Sequence, residues 1–184
     1  MSIPWLLKEI ATAEEEGFDA VIIPCMADPG LHAAREIANI PVVGAAETSF
    51  LLAIALGHRF SVMEPTKEGL ALTRQLLLSY QFERFLASQR ILGLTIEEIV
   101  ADRKKLKEAT IREGEYAIEE DGADVIVMGC GFMSALAAEV SGELGVPVID
   151  PLSAAMSFTE MLVKLGLSHS KKAYMTPSPK RIEI

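Results

Sequence analysis

The sequence predicts an α/β protein with mostly parallel sheets, and three observations predict it. Short β-branched apolar runs alternate with segments of helical period, the pattern of successive strand–helix–strand units. The runs are apolar throughout rather than on alternate residues, as strands covered on both faces must be. The chain also repeats itself: GFDAVIIPC at 17–25 aligns without a gap on GADVIVMGC at 122–130, with glycine, aspartate and cysteine matched in place.

In chain order, Pro4 to Glu16 has helical period, with Trp5 or Leu6, Ile10 and Ala13 on one face, and Gly17 stops it. Asp19 to Pro24 is a buried strand. Asp28-Pro29-Gly30 opens a helix to about Asn39, in which Asp28 suits the N-cap and Pro29 the first turn. Pro41 to Gly44 is a second buried strand. Glu47 to Leu56 is apolar on most sides, so it reads as a packed helix, ended by Gly57. A second series follows: a strand over Arg59 to Met63, a helix over Lys67 to Ser79 capped by Thr66, and a strand over Arg84 to Ile91. Thr95-Ile96-Glu97-Glu98 is a capping box whose helix should run to about Glu120. Ala123 to Gly129 is a strand, Ser134 to Leu144 a helix, Val146 to Asp150 a strand, and Ala154 to Leu167 a last amphipathic helix. Ser168 to Ile184 is polar, with two prolines and four Lys or Arg, and reads as a loosely ordered tail. The pairs Lys104–Lys105 and Lys171–Lys172 read as solvated faces.

Composition excludes several function classes. Half of the 184 residues are apolar, enough for a real core, and net charge is −9, which disfavours a polyanion such as nucleic acid. No apolar run reaches the 18 or so residues of a membrane helix; the best stretch, Pro41 to Gly57, is interrupted by Glu47. The N-terminus lacks the pattern of a signal peptide, so the cytoplasm is the expected compartment. Two cysteines cannot form a structural zinc site, and His32, His58 and His169 share no ligand spacing, so no metal is expected. Neither a Walker loop nor G-x-G-x-x-G is present, so no nucleotide cofactor is implied. A small-molecule ligand is the expected partner.

The repeat carries the chemistry. IPVVG at 40–44 aligns on VPVID at 146–150 after a one-residue shift, so each half reads strand, cysteine, helix, Pro-Val strand. Ligands of parallel sheets bind at the carboxyl ends of strands, where Cys25 and Cys130 both fall. Each could be a buried structural residue, since cysteine behaves as a small hydrophobe. Their matched positions, each leading into a helix N-terminus that would lower the thiol pKa, point instead to a pair of reactive thiols. They are not a C-x-x-C redox pair, and His32 is poorly placed as the base of a cysteine hydrolase. Opposed thiols suit two-base proton transfer: one thiolate removes a proton next to a carbonyl, and the other thiol returns one to the opposite face. The sulfurs would then lie roughly 7 Å apart across a cleft, with no disulfide.

At these residues the sequence resembles the Asp/Glu/hydantoin racemase superfamily, and within it the hydantoin/allantoin racemase branch. The resemblance runs from about Glu16 to Gly166 and rests on DAVIIPCMADPGL (19–31), PVVGAAE (41–47), EDGADVIVMGCGFM (120–133) and VPVIDP (146–151). It implies two flavodoxin-like domains related by a pseudo-twofold, with Cys25 and Cys130 as the catalytic pair and no cofactor. It also implies that backbone amides after each cysteine, at Met26 and Ala27 and at Gly131 and Phe132, hold substrate oxygens. Phe132 stands where the branch usually has a small residue, which points to a pocket shaped for a different side chain. Asp28 either contacts substrate or serves as a helix cap. Glu47, which the family also carries beside the second strand end, either lines the cleft or caps its own helix.

The expected domains are 1–57 with 152–184, and 58–151. The first is short at its front: Cys130 stands about 70 residues into its half, whereas Cys25 stands near the chain start, and the Asn-Pro-Asn type loop that usually opens the family is not present. The repeat predicts a natural start about 50 residues upstream of Met1. Without that segment, the Asp19 to Pro24 strand keeps an open edge, which either is covered by a partner subunit, giving a homo-oligomer, or leaves the first domain loose and the activity weak. The resemblance implies a cofactor-independent racemase or epimerase for a hydantoin, allantoin or amino-acid-like substrate. A same-fold cis-trans isomerase or decarboxylase, or a non-catalytic binding module, are the alternatives.

Overall fold

The computed structural model describes residues 2–178. Its elements alternate as expected: α1 (Ile3–Glu15), β1 (Val21–Ile23), α2 (Leu31–Ile37), β2 (Val42–Gly44), α3 (Ala45–Leu56), β3 (Phe60–Glu64), α4 (Lys67–Ser79), β4 (Leu86–Ile91), α5 (Ile96–Ala101), α6 (Arg103–Glu119), β5 (Val125–Met128), α7 (Ala137–Leu144), β6 (Val148–Ile149) and α8 (Pro151–Leu165). Every strand pairing is parallel. β1 and β2 form one sheet, with Val21 opposite Val42 and Ile23 opposite Gly44. The other sheet has the order β4-β3-β5-β6. Among the described residues no helix is long and apolar enough to cross a membrane.

A shared apolar core joins the two halves. Val43, Phe50 and Ala53 from the first half pack with Phe60, Val62, Val125 and Val127 of the second sheet, and Ala154 and Ala155 of α8 close the layer. Phe50 stacks on Phe60 with ring centroids 5.5 Å apart and planes 16° from parallel, an arrangement favourable beyond its area burial. Close packing of this kind holds the carboxyl ends of β1 and β5 in fixed relation. Two further clusters back the outer faces, one around Ile10, Ile23 and Val42, the other around Ile126, Met128 and Leu106.

The structure corrects several local expectations. Of the apolar face of α1, Ile10 is buried and Leu6 packs beside it, whereas Trp5 is exposed. The helix expected from Thr95 to Glu120 is two helices. The capping box at Thr95 forms, but Asp102 leaves the helical region (φ −128, ψ 83), and its carboxylate accepts the Lys105 N–H to start α6. Aspartate is a poor interior residue and a good cap, so it breaks and restarts the helix. The expected helix from Ser134 is a 3-10 turn over Gly131–Leu136 followed by α7. The last helix starts earlier, at Pro151, because Asp150 accepts the Leu152 N–H at 2.8 Å and caps it. Thr66 stands at the N-cap of α4 but makes no side-chain cap bond. The tail is not loose up to residue 178. His169 meets the Val42 backbone, and Lys171 Nζ donates to the carbonyls of Arg35 and Glu36 at 2.9 and 3.0 Å, so Lys171 closes the end of α2 rather than facing solvent. Residues 179–184 of the expected tail lie outside the described residues.

Candidate active site

Strand β1 ends at Ile23 and β5 at Met128, and two residues beyond each stands a cysteine. Matched positions in the repeat thus become matched positions in space. Cys25 and Cys130 line one cavity of about 510 Å³ at the carboxyl ends of the strands. Met26 and Ala27 continue its wall from the first half, and Gly131 and Phe132 from the second. Both cysteines are free thiols; Cys25 is exposed and Cys130 half-buried. A larger groove of about 870 Å³ runs between α3, α7 and α8, but its lining holds neither cysteine.

Neither cysteine sits at an α-helix N-terminus, which corrects the sequence-based expectation. After Cys25 the chain makes a turn, with the Asp28 N–H donating to the Cys25 carbonyl at 2.9 Å, and α2 waits until Leu31 behind a left-handed Gly30 at φ 70. After Cys130 comes the 3-10 turn. The electrostatic consequence follows at Cys130. Burial pushes its thiol up, the Phe132 N–H works against this, and negative charge on Cys25 adds to the rise. Cys130 is therefore held as a thiol rather than as a ready thiolate.

Asp28 and Glu47 do not line the cavity. Asp28 is 5% exposed and is not the cap of α2. Its carboxylate crosses to α3, accepting the N–H groups of Ala46 at 3.0 Å and Glu47 at 2.8 Å and the Tyr80 hydroxyl at 2.9 Å. Gly44 makes this possible, since a Cβ there would lie 2.6 Å from the Asp28 carboxyl atoms. Asp28 itself takes a positive φ of 41, which aspartate tolerates better than most residues. Glu47 pairs with Arg35, whose Nε donates to the Val42 carbonyl at 3.0 Å and whose Nη1 donates to the Tyr174 hydroxyl at 3.1 Å. These two acids fix the loop behind Cys25.

Glu64, Thr73, Ile96 and Leu152, none of them singled out from the sequence, also line the cavity. Glu64 is the last residue of β3, at a carboxyl end where ligands of parallel sheets bind, but no repeat partner marks it. The apolar run of this strand stops at Met63, one residue before β3 ends. Among the described residues lining the cavity there is no Lys, Arg or His.

A family model described as Asp/Glu/Hydantoin racemase matches residues 1–159. A hydantoin racemase of Pseudomonas sp. (strain NS671) is 41% identical over 98% of this chain and 73% of its own length. A hydantoin racemase of Rhizobium meliloti is 37% identical over 93% of the chain and 71% of its own. Among solved structures, allantoin racemase from Klebsiella pneumoniae superposes with a TM-score of 0.90 at 37% identity, covering 97% of this chain and 73% of that one.

Proposed function

Because the chain belongs to the Asp/Glu/hydantoin racemase family, and so is an isomerase of the racemase class, we propose that it inverts a carbon next to a carbonyl by proton transfer between Cys25 and Cys130. The substrate is a hydantoin, allantoin or amino-acid-like molecule. One sulfur, as thiolate, takes the proton from the α-carbon. The C–H electron pair moves into the bond toward the carbonyl, whose oxygen gains the charge of an enolate. The other sulfur, as thiol, gives its proton to the opposite face, and the electron pair returns to form the new C–H bond. The two sulfurs end with their protonation states exchanged. The balance closes without a redox partner or cofactor. In this reading the backbone N–H groups after each cysteine, at Met26, Ala27, Gly131 and Phe132, hold the developing oxyanion, where fixed donors are most effective.

The observation that carries this reading is that Cys25 and Cys130 share one cavity at the carboxyl ends of repeat-related strands. The half-buried, neutral Cys130 supplies the thiol of the required thiol–thiolate pair. The experiment is racemisation of single enantiomers of a substituted hydantoin, allantoin and an amino acid in heavy water. Loss of optical activity with one deuterium at the α-carbon is expected for at least one of them. Absence of both, in folded protein with reduced thiols, sinks the proposal.

A further inference from the structure

Glu64 is the residue of the cleft that a core-packing role does not explain. The two-residue period of β3 puts its side chain on the face of Phe60 and Val62, both in the core shared by the two halves. There the carboxyl is enclosed by two glycines: a Cβ on Gly69 would come within 2.3 Å of Glu64 Oε2, and one on Gly129 within 3.0 Å. The room these glycines leave is filled by the carboxyl. Glu64 is 2% exposed, its Oε1 has no hydrogen-bond partner, and it takes part in none of the ion pairs among the described residues. Burial pushes the group toward the neutral acid, and Thr73 and Gln89 offset only part of this. An unpaired carboxyl is a costly core residue, and an apolar side chain of similar volume would be more stable there. Yet it lines the cavity of the two cysteines, next to Cys130.

We propose that Glu64 is the specificity residue of this cleft, its carboxyl group pairing with the N–H and C=O of a ring amide and disfavouring ligands that bring a carboxylate to the same place. The proposal rests on the racemase reading for its substrate class. An amide inside a small ring is held cis, so its N–H and C=O lie side by side. A carboxylic acid presents an O–H donor and a C=O acceptor with the same spacing, and the two faces close a pair of antiparallel hydrogen bonds. An α-carboxylate offers only acceptors. It meets one donor on Glu64, sets its second oxygen against the acid's carbonyl, and finds no cationic side chain among the described residues of the lining. Of the substrate classes proposed above, this selects the neutral ring ureides over free amino acids.

The test compares wild type, Glu64→Gln and Glu64→Leu. Each is titrated by calorimetry with a 5-substituted hydantoin and with the amino acid of the same side chain. Protein carrying ¹³C at the glutamate side-chain carboxyls reports the protonation of Glu64 at pH 7, its signal assigned by its loss in Glu64→Gln. A protonated Glu64 is expected, free and in the hydantoin complex. Glu64→Leu should weaken hydantoin binding about tenfold or more, the size of one well-placed buried hydrogen bond. Glu64→Gln should restore affinity to within about threefold of wild type, because an amide offers the same donor and acceptor. Equal affinity of wild type and Glu64→Leu overturns the proposal. So does tighter binding of the amino acid with Glu64 ionised, since the carboxylate would then serve the ammonium, and so does wild type that binds no hydantoin. Should the leucine variant fail to fold, the carboxyl titration and the glutamine variant still decide. Deuterium exchange on the same samples is scored separately: binding without exchange counts against the two-thiol mechanism and leaves Glu64 to be judged by affinity.

Discussion

The Asp28 carboxylate accepts the Glu47 backbone N–H at 2.8 Å, and through this bond the loop carrying Cys25 is fastened to the first turn of α3. The Ala46 N–H and the Tyr80 hydroxyl complete the set. Asp28→Ala leaves two buried N–H groups and a hydroxyl without an acceptor and should cost about 3 kcal/mol in urea unfolding. Asp28→Asn keeps an acceptor and the tolerance of positive φ, and should cost less than half as much. Burial raises the Asp28 carboxyl above its ordinary value. Its contribution to stability is therefore full below the usual carboxylate range and declines as pH rises through the raised value, a slope that Asp28→Asn should flatten. A loss under about 1 kcal/mol in the alanine variant would show that α3 does not depend on this cap.

Arg35 and Glu47 form the second fastening. Their side chains are 4% and 21% exposed, so removing either partner strands a charge away from water. Glu47→Ala should be the more damaging, because the deeper guanidinium loses its counterion, with about 3 kcal/mol lost on unfolding. Replacing both together, with Met at 35 and Leu at 47, should recover much of that loss. Additive effects of the two single changes would argue that the pair is uncoupled.

The sequence made the strands legible because each is a short β-branched run, and it made the cysteine pair legible because the repeat aligns them. What it hid were decisions taken across the fold. Asp28 beside Pro29 has every local mark of a cap for its own helix, yet the left-handed Gly30 delays α2 and frees the carboxylate for α3. Glu47 could be read as a cleft residue or as a cap of its own helix, and Arg35, twelve positions earlier, is the partner that neither reading named. The tail is polar in composition, but Lys171 and His169 spend that polarity on the backbone of α2 and β2. Glu64 escaped because a single acid at a strand end has no repeat partner to mark it. The helix N-termini expected directly after the cysteines were hidden for a related reason: propensity marks a helix, but the left-handed Gly30 and the 3-10 turn decide where it begins.

Single cysteine variants test the division of labour. Cys25→Ala and Cys130→Ala should each abolish racemisation, since inversion needs a donor and an acceptor on opposite faces. Each variant should still exchange the α-proton of one enantiomer with solvent, and the two variants should differ in which enantiomer that is. Stability should change by less than about 1 kcal/mol in either case, because the lost atom faces a cavity. Chiral chromatography with mass analysis of deuterium reads both outcomes. Unchanged racemisation in either variant would show that its cysteine is structural.

The two thiols should also differ in reactivity. Cys25 is exposed, whereas Cys130 is half-buried with its thiol pushed up by burial and by neighbouring negative charge. Only the thiolate attacks an alkylating agent, so at a given pH a raised pKa means less of the reactive form. Limiting iodoacetamide at pH 7.5 should therefore label Cys25 first, with Cys130 at least about tenfold slower, as peptide mass analysis would show. The Cys130 rate should keep climbing above the pH at which an ordinary thiol has levelled off. The same displacement fixes the alkaline limb of activity. Proton transfer needs one sulfur protonated, so turnover must fall once Cys130 ionises, and the raised thiol moves that fall above the ordinary thiol range. Labelling of Cys130 as fast as Cys25, together with an alkaline loss inside the ordinary range, would mean that burial does not hold the Cys130 proton and that the thiol–thiolate pair is set some other way.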